Sequence, residues 1–403
     1  MDHRSIELIL FVLFLYAGNA FASNWQSPLI KQLNNNSALV YDHHGRTLFS
    51  HNANKLMVPA SILKIATADA VITNLGEHYR IPTEIYLTPD NYLGIKGFGD
   101  PTLVSETLLK IAQQIKKYLK QSPSGALKGF WLDTSFFKAE LTVHGQSASD
   151  NPYDASLGAL AANFNTVNIN KLRTGLISSA EAQTPLTATA IKTAKKLIAG
   201  KHRINLGKQT QRALQNFAEL LQAFLKAEKI AIPVDIINKP IPPASKKIMT
   251  HYSAPVSEII QTLFVYSNNF IANQLLIILG GEKKGAPADL EKGRQVVAEF
   301  LHNSVGINDF TLQEGSGLSR KNKITASEMM SLLIHFKPYH SLLRNYQNRF
   351  QAKTGTLRGI SSFAGYMLSP SGETYPFVIM LNNPLRTSNR KEIANRIYNA
   401  MSW

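Results

Sequence analysis

The stretch whose reading decides the fold is "LMVPASILKIATADAVITNLG", residues 56–76. Pro59 precedes a turn in which Ser61 and Lys64 stand three positions apart. On a helix such residues share a face, with Cβ atoms about 5–6 Å apart. A neutral amine at that distance can take a proton from the hydroxyl. On its own, Ser-x-x-Lys also arises by chance, with the serine at a helix start and the lysine a solvated charge. Its meaning depends on what the rest of the chain brings to it.

Outward from that turn, the two ends of the chain read as one sheet. "SALVYDHHGRTLFSHN" (37–52) has two short apolar runs around a turn at "HHG" and reads as a hairpin. "SSFAGYMLS" (361–369), a turn at "PSGE" and "TYPFVIMLNN" (374–383) form a second hairpin pattern. "TSNRKEIANRIYNAM" (387–401) is an amphipathic helix with Ile393, Ile397 and Met401 four apart. Between them the pattern is mixed. "RIPTEIYLT", "NYLGIKGFG", "GFWLDTSFF" and "ANFNTVNINKL" read as strands; "SETLLKIAQQIKKYLK" and residues 206–230 read as helices. A further helical stretch, 253–279, carries Ser267 and Asn269 within it. The expected organisation is an inserted mixed domain at 81–245, with 23–80 and 246–403 forming the domain around the Ser-x-x-Lys turn. The run from "SSAEAQ" to "HRINLG" is too brief to suggest a further nested domain of full size.

The bulk numbers narrow the function. A chain of 403 residues is long for one core. With 44% hydrophobic and 17% charged residues it is an ordinary globular composition. A formal net charge of +16 favours polyanionic surroundings such as nucleic acid, anionic lipid or an acidic wall polymer. The basic residues are scattered and no aromatic-interleaved basic tract occurs, so no nucleic-acid partner is expected. The absence of cysteine removes disulfides, thiolate metal sites and a cysteine nucleophile together. Eleven histidines include no H-E-x-x-H pair, and Asp42-His43-His44 precedes Gly45 as a turn would. Neither a metal nor a cofactor is expected.

Residues 1–22 read as a signal peptide. Arg4 precedes an apolar run from Leu8 to Ala17, and Ala20-Phe21-Ala22 fits a small-x-small cleavage site. The run is shorter than the roughly 20 residues that span a bilayer. An exported, periplasmic protein cleaved near Ala22 is expected, without a stable transmembrane anchor and at most loosely associated with membrane or wall.

Two more short motifs complete the first. Ser267-Asn268-Asn269 is a Ser-x-Asn, and Lys353-Thr354-Gly355 leads into the second hairpin. Each is weak alone. In this order they are the Ser-x-x-Lys, Ser-x-Asn and Lys-Thr-Gly set of penicillin-interacting serine enzymes. The sequence resembles one family among them: the class C low-molecular-mass penicillin-binding proteins, D-alanyl-D-alanine carboxypeptidase/endopeptidases of the S13 peptidase type. The likeness extends to "LGIKGFGDPTL" (93–103), "LDTSFF" (132–137), "NPYDASLGALAANFNTV" (151–167) and "EGSGLSRKN" (314–322), and so covers nearly the whole mature chain.

The resemblance implies an α/β (α+β) fold: a serine β-lactamase-like transpeptidase domain with a five-stranded antiparallel sheet flanked by helices, interrupted by the inserted domain. It implies a serine-type D-Ala-D-Ala carboxypeptidase acting on peptidoglycan stem peptides that end in D-Ala-D-Ala, and leaves open whether the enzyme trims terminal D-Ala, cuts cross-links as a DD-endopeptidase, or does both. β-Lactams would be covalent inhibitors. Ser61 would attack the peptide carbonyl and become acylated. Lys64 would be its base, its amine kept neutral by burial, the helix N-terminus and a second cation at Lys353. Ser267 would relay a proton to the leaving amine, and Asn269 would hold Lys64 and the substrate amide. Lys353 and Thr354 would bind the terminal carboxylate, and the backbone N–H groups of Ser61 and Thr356 would form the oxyanion hole. Gly355 would let the substrate backbone lie against its strand. Arg320, after Ser-Gly-Leu-Ser, and Asp150, in the inserted domain, would contact the stem peptide. Arg358 stands where related enzymes often carry a neutral polar residue, which leaves the preferred third stem residue open. Two rival readings remain: a β-lactamase, for which no water-activating carboxylate can be assigned, and a wall-binding protein without turnover.

Overall fold

The computed structural model describes residues 25–121, 125–207, 210–382 and 389–401; the signal-peptide reading of residues 1–22 lies outside the described residues. The two ends of the chain meet in a fully antiparallel sheet. Its order is Arg344–Tyr346, Phe350–Leu357, Ile360–Leu368, Thr374–Leu381, Ser37–Tyr41, Thr47–His51. The first strand pairs with the last, Ser37 opposite Met380 and Val40 opposite Phe377.

Successive side chains of a strand point to opposite faces, and here both faces are covered. Phe377, Ile379 and Leu381 pack with Leu29, Leu33, Ile393 and Ile397 of the two terminal helices, Gln26–Leu33 and Asn389–Ala400. Val378 and Met380 face the main core, with Ala66, Leu275 and Met329 of helices Lys64–Leu75, Asn269–Lys284 and Ala326–Phe336. That double burial is why "TYPFVIML" reads as an unbroken apolar run rather than an alternating one. The sheet has six strands where five were expected. The extra edge strand, Arg344–Tyr346, exists because Gln347 and Asn348 both take positive φ and fold it back onto Phe350–Ala352.

The intervening segment builds a second sheet, ordered Lys246–Tyr252, Pro82–Leu87, Tyr92–Gly97, Gly129–Asp133, Ile236–Asn238. Its first two pairings are antiparallel and its last two parallel. Helices Ser105–Gln121 and Thr210–Ala227 cover it, burying Leu108, Ile111, Phe217 and Leu221 against Ile85, Ile95 and Phe130. Strand Lys246–Tyr252 pairs with Pro82–Leu87, so this sheet runs past the expected boundary at 245. A small sheet of Ile177–Ser179, Thr166–Lys171 and Gly200–Asn205 is nested within the segment, with its own apolar cluster around Val167, Ile169, Ala194 and Ile204. Among the described residues, no helix is long and apolar enough to cross a membrane.

Candidate active site

Ser61 lies in a 3-10 turn, Ala60–Leu63, that runs directly into the helix beginning at Lys64. In a 3-10 turn residues i and i+3 nearly eclipse, which brings the Lys64 amine to 3.0 Å from the Ser61 hydroxyl. Ala60 takes φ 50°, a conformation costly for a residue with a Cβ. The turn is held from several sides. Asn382 accepts from Val58 N–H at 2.6 Å and donates to the Val58 carbonyl at 3.0 Å, and Ser362 Oγ donates to the Pro59 carbonyl.

Gly355 explains the fit of the Lys-Thr-Gly strand against this turn. A Cβ there would stand 2.4 Å from Ser362 Oγ and 2.8 Å from both the Pro59 carbonyl oxygen and Ser61 N. The missing side chain thus makes room for the backbone of Pro59 and Ser61. Gly317 is constrained in the same way, with a Cβ 2.0 Å from the Ala60 carbonyl oxygen.

Lys64 is fully buried and its amine has three neighbours: Ser61 Oγ, Asn269 Oδ1 at 2.7 Å and the Ser316 carbonyl at 2.6 Å. A neutral amine has two N–H bonds and one lone pair. Asn269 and Ser316 accept the two N–H bonds, which turns the lone pair to Ser61. Burial pulls the Lys64 pKa down to about 7, against the opposing charge of Glu314. Burial is the cause here; the like-charge effect expected from Lys353 falls on Lys353 itself, whose pKa is lowered by burial and then by Lys64, Arg390 and Arg344.

Ser267-Asn268-Asn269 does not sit mid-helix. The helix Val256–Tyr266 ends at Ser267, which takes left-handed φ 52° and ψ 39°, and a new helix begins at Asn269 with Asn268 as its N-cap, accepting from Ile271 N–H. The break turns Ser267 toward the sheet, where Lys353 Nζ donates to its hydroxyl at 2.7 Å and to the Thr354 carbonyl at 2.7 Å. The Lys64 amine thus joins Ser61 to Asn269, and the Lys353 amine joins Ser267 to the Lys-Thr-Gly strand. Thr354, Gly355 and Thr356 follow Lys353 on the strand that borders Ser61.

Arg320 is exposed and donates through Nη2 to the carbonyl of Arg358, which places both arginines at the far end of the Lys-Thr-Gly strand. Asp150 is not part of this assembly. It lines a separate cavity with Lys192, Ile204 and Arg212, and its carbonyl accepts from Asn205 N–H at the nested sheet.

Three groups escaped the motif reading. Glu314, fully buried, accepts from Ser316 N–H and Oγ–H, Asn273 Nδ2, Ser319 N–H and Asn322 Nδ2. It thereby fixes the loop whose Ser316 carbonyl holds Lys64. Asn273 closes the same network by accepting from Gly315 N–H at 2.7 Å. Arg390, on the C-terminal helix, donates to the Gly355 carbonyl and, at 2.7 Å, to Thr356 Oγ1. Glu314 lies within a quoted block that carries no signal of its pairing, and nothing in the sequence around Arg390 marks its contact with the Lys-Thr-Gly strand.

An antiparallel sheet between helices, with a serine and two buried lysines at its edge, is the architecture of penicillin-interacting serine enzymes. The chain belongs to the D-Ala-D-Ala carboxypeptidase 3 (S13) family, which it matches over residues 22–350 and 344–402. It is 25% identical to a D-alanyl-D-alanine carboxypeptidase of Actinomadura sp. (strain R39), over 82% of this chain and 74% of the relative. It is 22% identical to the D-alanyl-D-alanine carboxypeptidase DacB of Haemophilus influenzae, over 88% of this chain and 84% of that protein. The crystal structure of penicillin-binding protein 4 from Haemophilus influenzae superposes with a TM-score of 0.75 at 19% identity, covering 93% of this chain and 99% of that one.

Proposed function

We propose that this protein is an exported, periplasmic serine D-Ala-D-Ala carboxypeptidase that trims peptidoglycan stem peptides through an acyl-enzyme on Ser61. The observation that carries the reading is the Lys64 amine, buried, with its pKa near 7 and 3.0 Å from Ser61 Oγ. Neutral Lys64 takes the Ser61 proton as Oγ bonds to the carbonyl carbon. Backbone N–H groups of Ser61 and Thr356 receive the oxyanion. The C–N bond then breaks, and the proton reaches the departing amine by way of Ser267. Lys353 and Thr354 hold the terminal carboxylate. Water attacks the ester in a second round of the same proton transfers and frees Ser61. Arg320 and Arg358 offer positive charge to the stem peptide at the far end of the strand. The net charge of +16 suits an acidic wall polymer.

Glu314 does not suit the part of a β-lactamase's water-activating base. Five donors occupy a carboxylate with about four lone-pair sites, leaving nothing with which to take a proton. The test is labelling of the purified protein with a fluorescent penicillin, followed by peptide mass analysis. A stable adduct on Ser61 together with release of D-Ala from a pentapeptide is expected. Rapid loss of label with drug hydrolysis would mean a β-lactamase, and no label would mean a wall-binding protein without turnover.

A further inference from the structure

The small nested sheet carries far more than its share of the charge. Residues 166–205, about a tenth of the chain, hold seven lysines and arginines against one carboxylate, Glu181, and so net +6 of the chain's +16. Separated along the sequence, several of these cations are gathered by strand pairing. Lys171, at the end of Thr166–Lys171, lies opposite Gly200 at the start of Gly200–Asn205 and Ile177 at the start of Ile177–Ser179. The turn 172–176 and the connection 195–199 therefore share one end of the sheet. Arg173, Lys195, Lys196 and Lys201 stand exposed there. Among the described residues, none of the four has an ion pair.

Apolar side chains stand among these cations. Leu172 is 46%, Leu176 64% and Ile198 80% exposed, the last being the most exposed large apolar side chain among the described residues. Single exposed apolar residues are ordinary on a soluble protein, but three on adjoining loops of one small sheet form a patch. Both loops are held in place. Leu172 N–H donates to the Leu176 carbonyl at 2.8 Å and Gly175 N–H to the Leu172 carbonyl at 2.9 Å, with Gly175 at φ 89°. Lys171 Nζ donates to the carbonyls of Lys195 and Leu197, both at 2.8 Å, and so ties the second loop to the strand that leads into the first. Ile177 and Leu197 pack on the cluster around Val167, Ile169 and Ala194. Their neighbours Leu176 and Ile198 are left outside it.

We propose that this end of the nested sheet docks on an anionic lipid surface and holds the protein there as a peripheral element. Charge and apolarity together select the partner. The cations are drawn to headgroup phosphates. Leu172, Leu176 and Ile198 enter the boundary between headgroups and acyl chains, while the lysines beside them keep their amines at headgroup level. A wall glycan or a soluble polyanion would satisfy the cations and offer nothing to the apolar side chains. A second copy of the chain would set like charges face to face. The opposite end of the sheet adjoins the catalytic cleft: Phe164, just before Thr166, borders the same cavity as Ser267. Thr166–Lys171 spans roughly 17 Å at ~3.3 Å per residue, so a tip seated on lipid leaves the cleft clear of the surface.

The experiment is co-sedimentation of the exported protein with three partners: vesicles of phosphatidylglycerol and phosphatidylcholine in equal parts, vesicles of phosphatidylcholine alone, and insoluble peptidoglycan sacculi. Wild type and variants share one N-terminus, so residues 1–22 contribute nothing to a difference between them. Wild type should sediment with the anionic vesicles and not with the neutral ones. The double variant Lys195→Gln/Lys196→Gln should lower the partition coefficient roughly 25-fold, at about fivefold per cation near an anionic surface. Leu176→Ser/Ile198→Ser should lower it roughly tenfold at unchanged charge, from apolar area that stays in water. All four positions are exposed, and unchanged thermal melts verify the fold of the variants. Wild type that ignores anionic vesicles, or binds neutral ones equally, overturns the proposal. Unchanged vesicle binding in the lysine variant overturns it as well. Loss in the lysine variant alone marks a patch for any polyanion and overturns the lipid assignment. A loss on sacculi that matches the loss on vesicles does the same in favour of the wall.

Discussion

The pH dependence of acylation is the most direct consequence of where Lys64 sits. Its pKa falls from an ordinary 10.5 to about 7. At pH 7 about half the molecules then carry a neutral amine, against roughly one in three thousand at the ordinary value. Burial therefore raises the reactive fraction on the order of a thousandfold, about 5 kcal/mol at 1.36 kcal/mol per pKa unit. The sign follows from the role. Protonation removes the lone pair aimed at Ser61, so activity is lost as pH falls through about 7 and saturates above it. The assay is the second-order rate of labelling by fluorescent penicillin between pH 5 and 9. We expect a tenfold fall per pH unit well below the midpoint and a plateau above pH 8. Glu314→Gln provides the second arm. Its charge holds the Lys64 pKa up, so its removal should shift the midpoint to lower pH. The plateau should drop as well, because an amide N–H would face the donors of Ser319 and Asn322, or those of Ser316 and Asn273, at about 1–3 kcal/mol for each bond lost. A midpoint near 10, a flat profile, or an upward shift in the variant would refute the reasoning. So would retained acylation in Lys64→Arg, since a guanidinium does not deprotonate.

Ser267→Ala should slow D-Ala release about a hundredfold by removing the proton relay, while Lys64 and its contacts stay in place; D-Ala release measured by a coupled assay checks it, and an unchanged rate would put the relay elsewhere. Gly355→Ala should destabilise the fold by about 1–3 kcal/mol through overpacking and suppress labelling, because its Cβ would press on the backbone of Pro59 and Ser61; a thermal melt equal to the wild type would contradict the packing argument. Arg390→Ala should raise KM for the pentapeptide about tenfold, the cost of losing a charge-assisted bond that positions Thr356; an unchanged KM would assign Arg390 to stability alone.

The residues that the sequence placed together are those for which chemistry demands a fixed type at short spacing. Ser61 and Lys64 lie within one turn, and Lys353 to Thr356 within one strand, so local geometry carries them. The sheet was legible for a related reason: each hairpin is local, and only the pairing of Ser37–Tyr41 with Thr374–Leu381 had to be inferred. What was missed depends on contacts across the chain. The apolar periodicity of "TLFVYSNNFIANQLL" continues through Ser267, so the helix break there is invisible to a periodic reading, although Asn268 is a good N-cap. Asp150 rests on the family resemblance rather than on a motif of its own, and in the fold its carbonyl accepts from Asn205 N–H while the residue lines a cavity with Lys192 and Arg212.

Glu314 shows why such a site needs more than its motifs. A lysine buried among apolar helices would lose its proton readily, yet a free amine could turn away from Ser61. Two acceptors on different elements prevent that: Asn269 at a helix start and the carbonyl of Ser316 in a loop. The loop has no sheet or helix to hold it, and a loose carbonyl would release the amine. Glu314 supplies the rigidity by gathering donors from Ser316, Ser319, Asn322 and Asn273. The same charge opposes the loss of the Lys64 proton. The site thus trades some depression of the Lys64 pKa for a fixed direction of its lone pair.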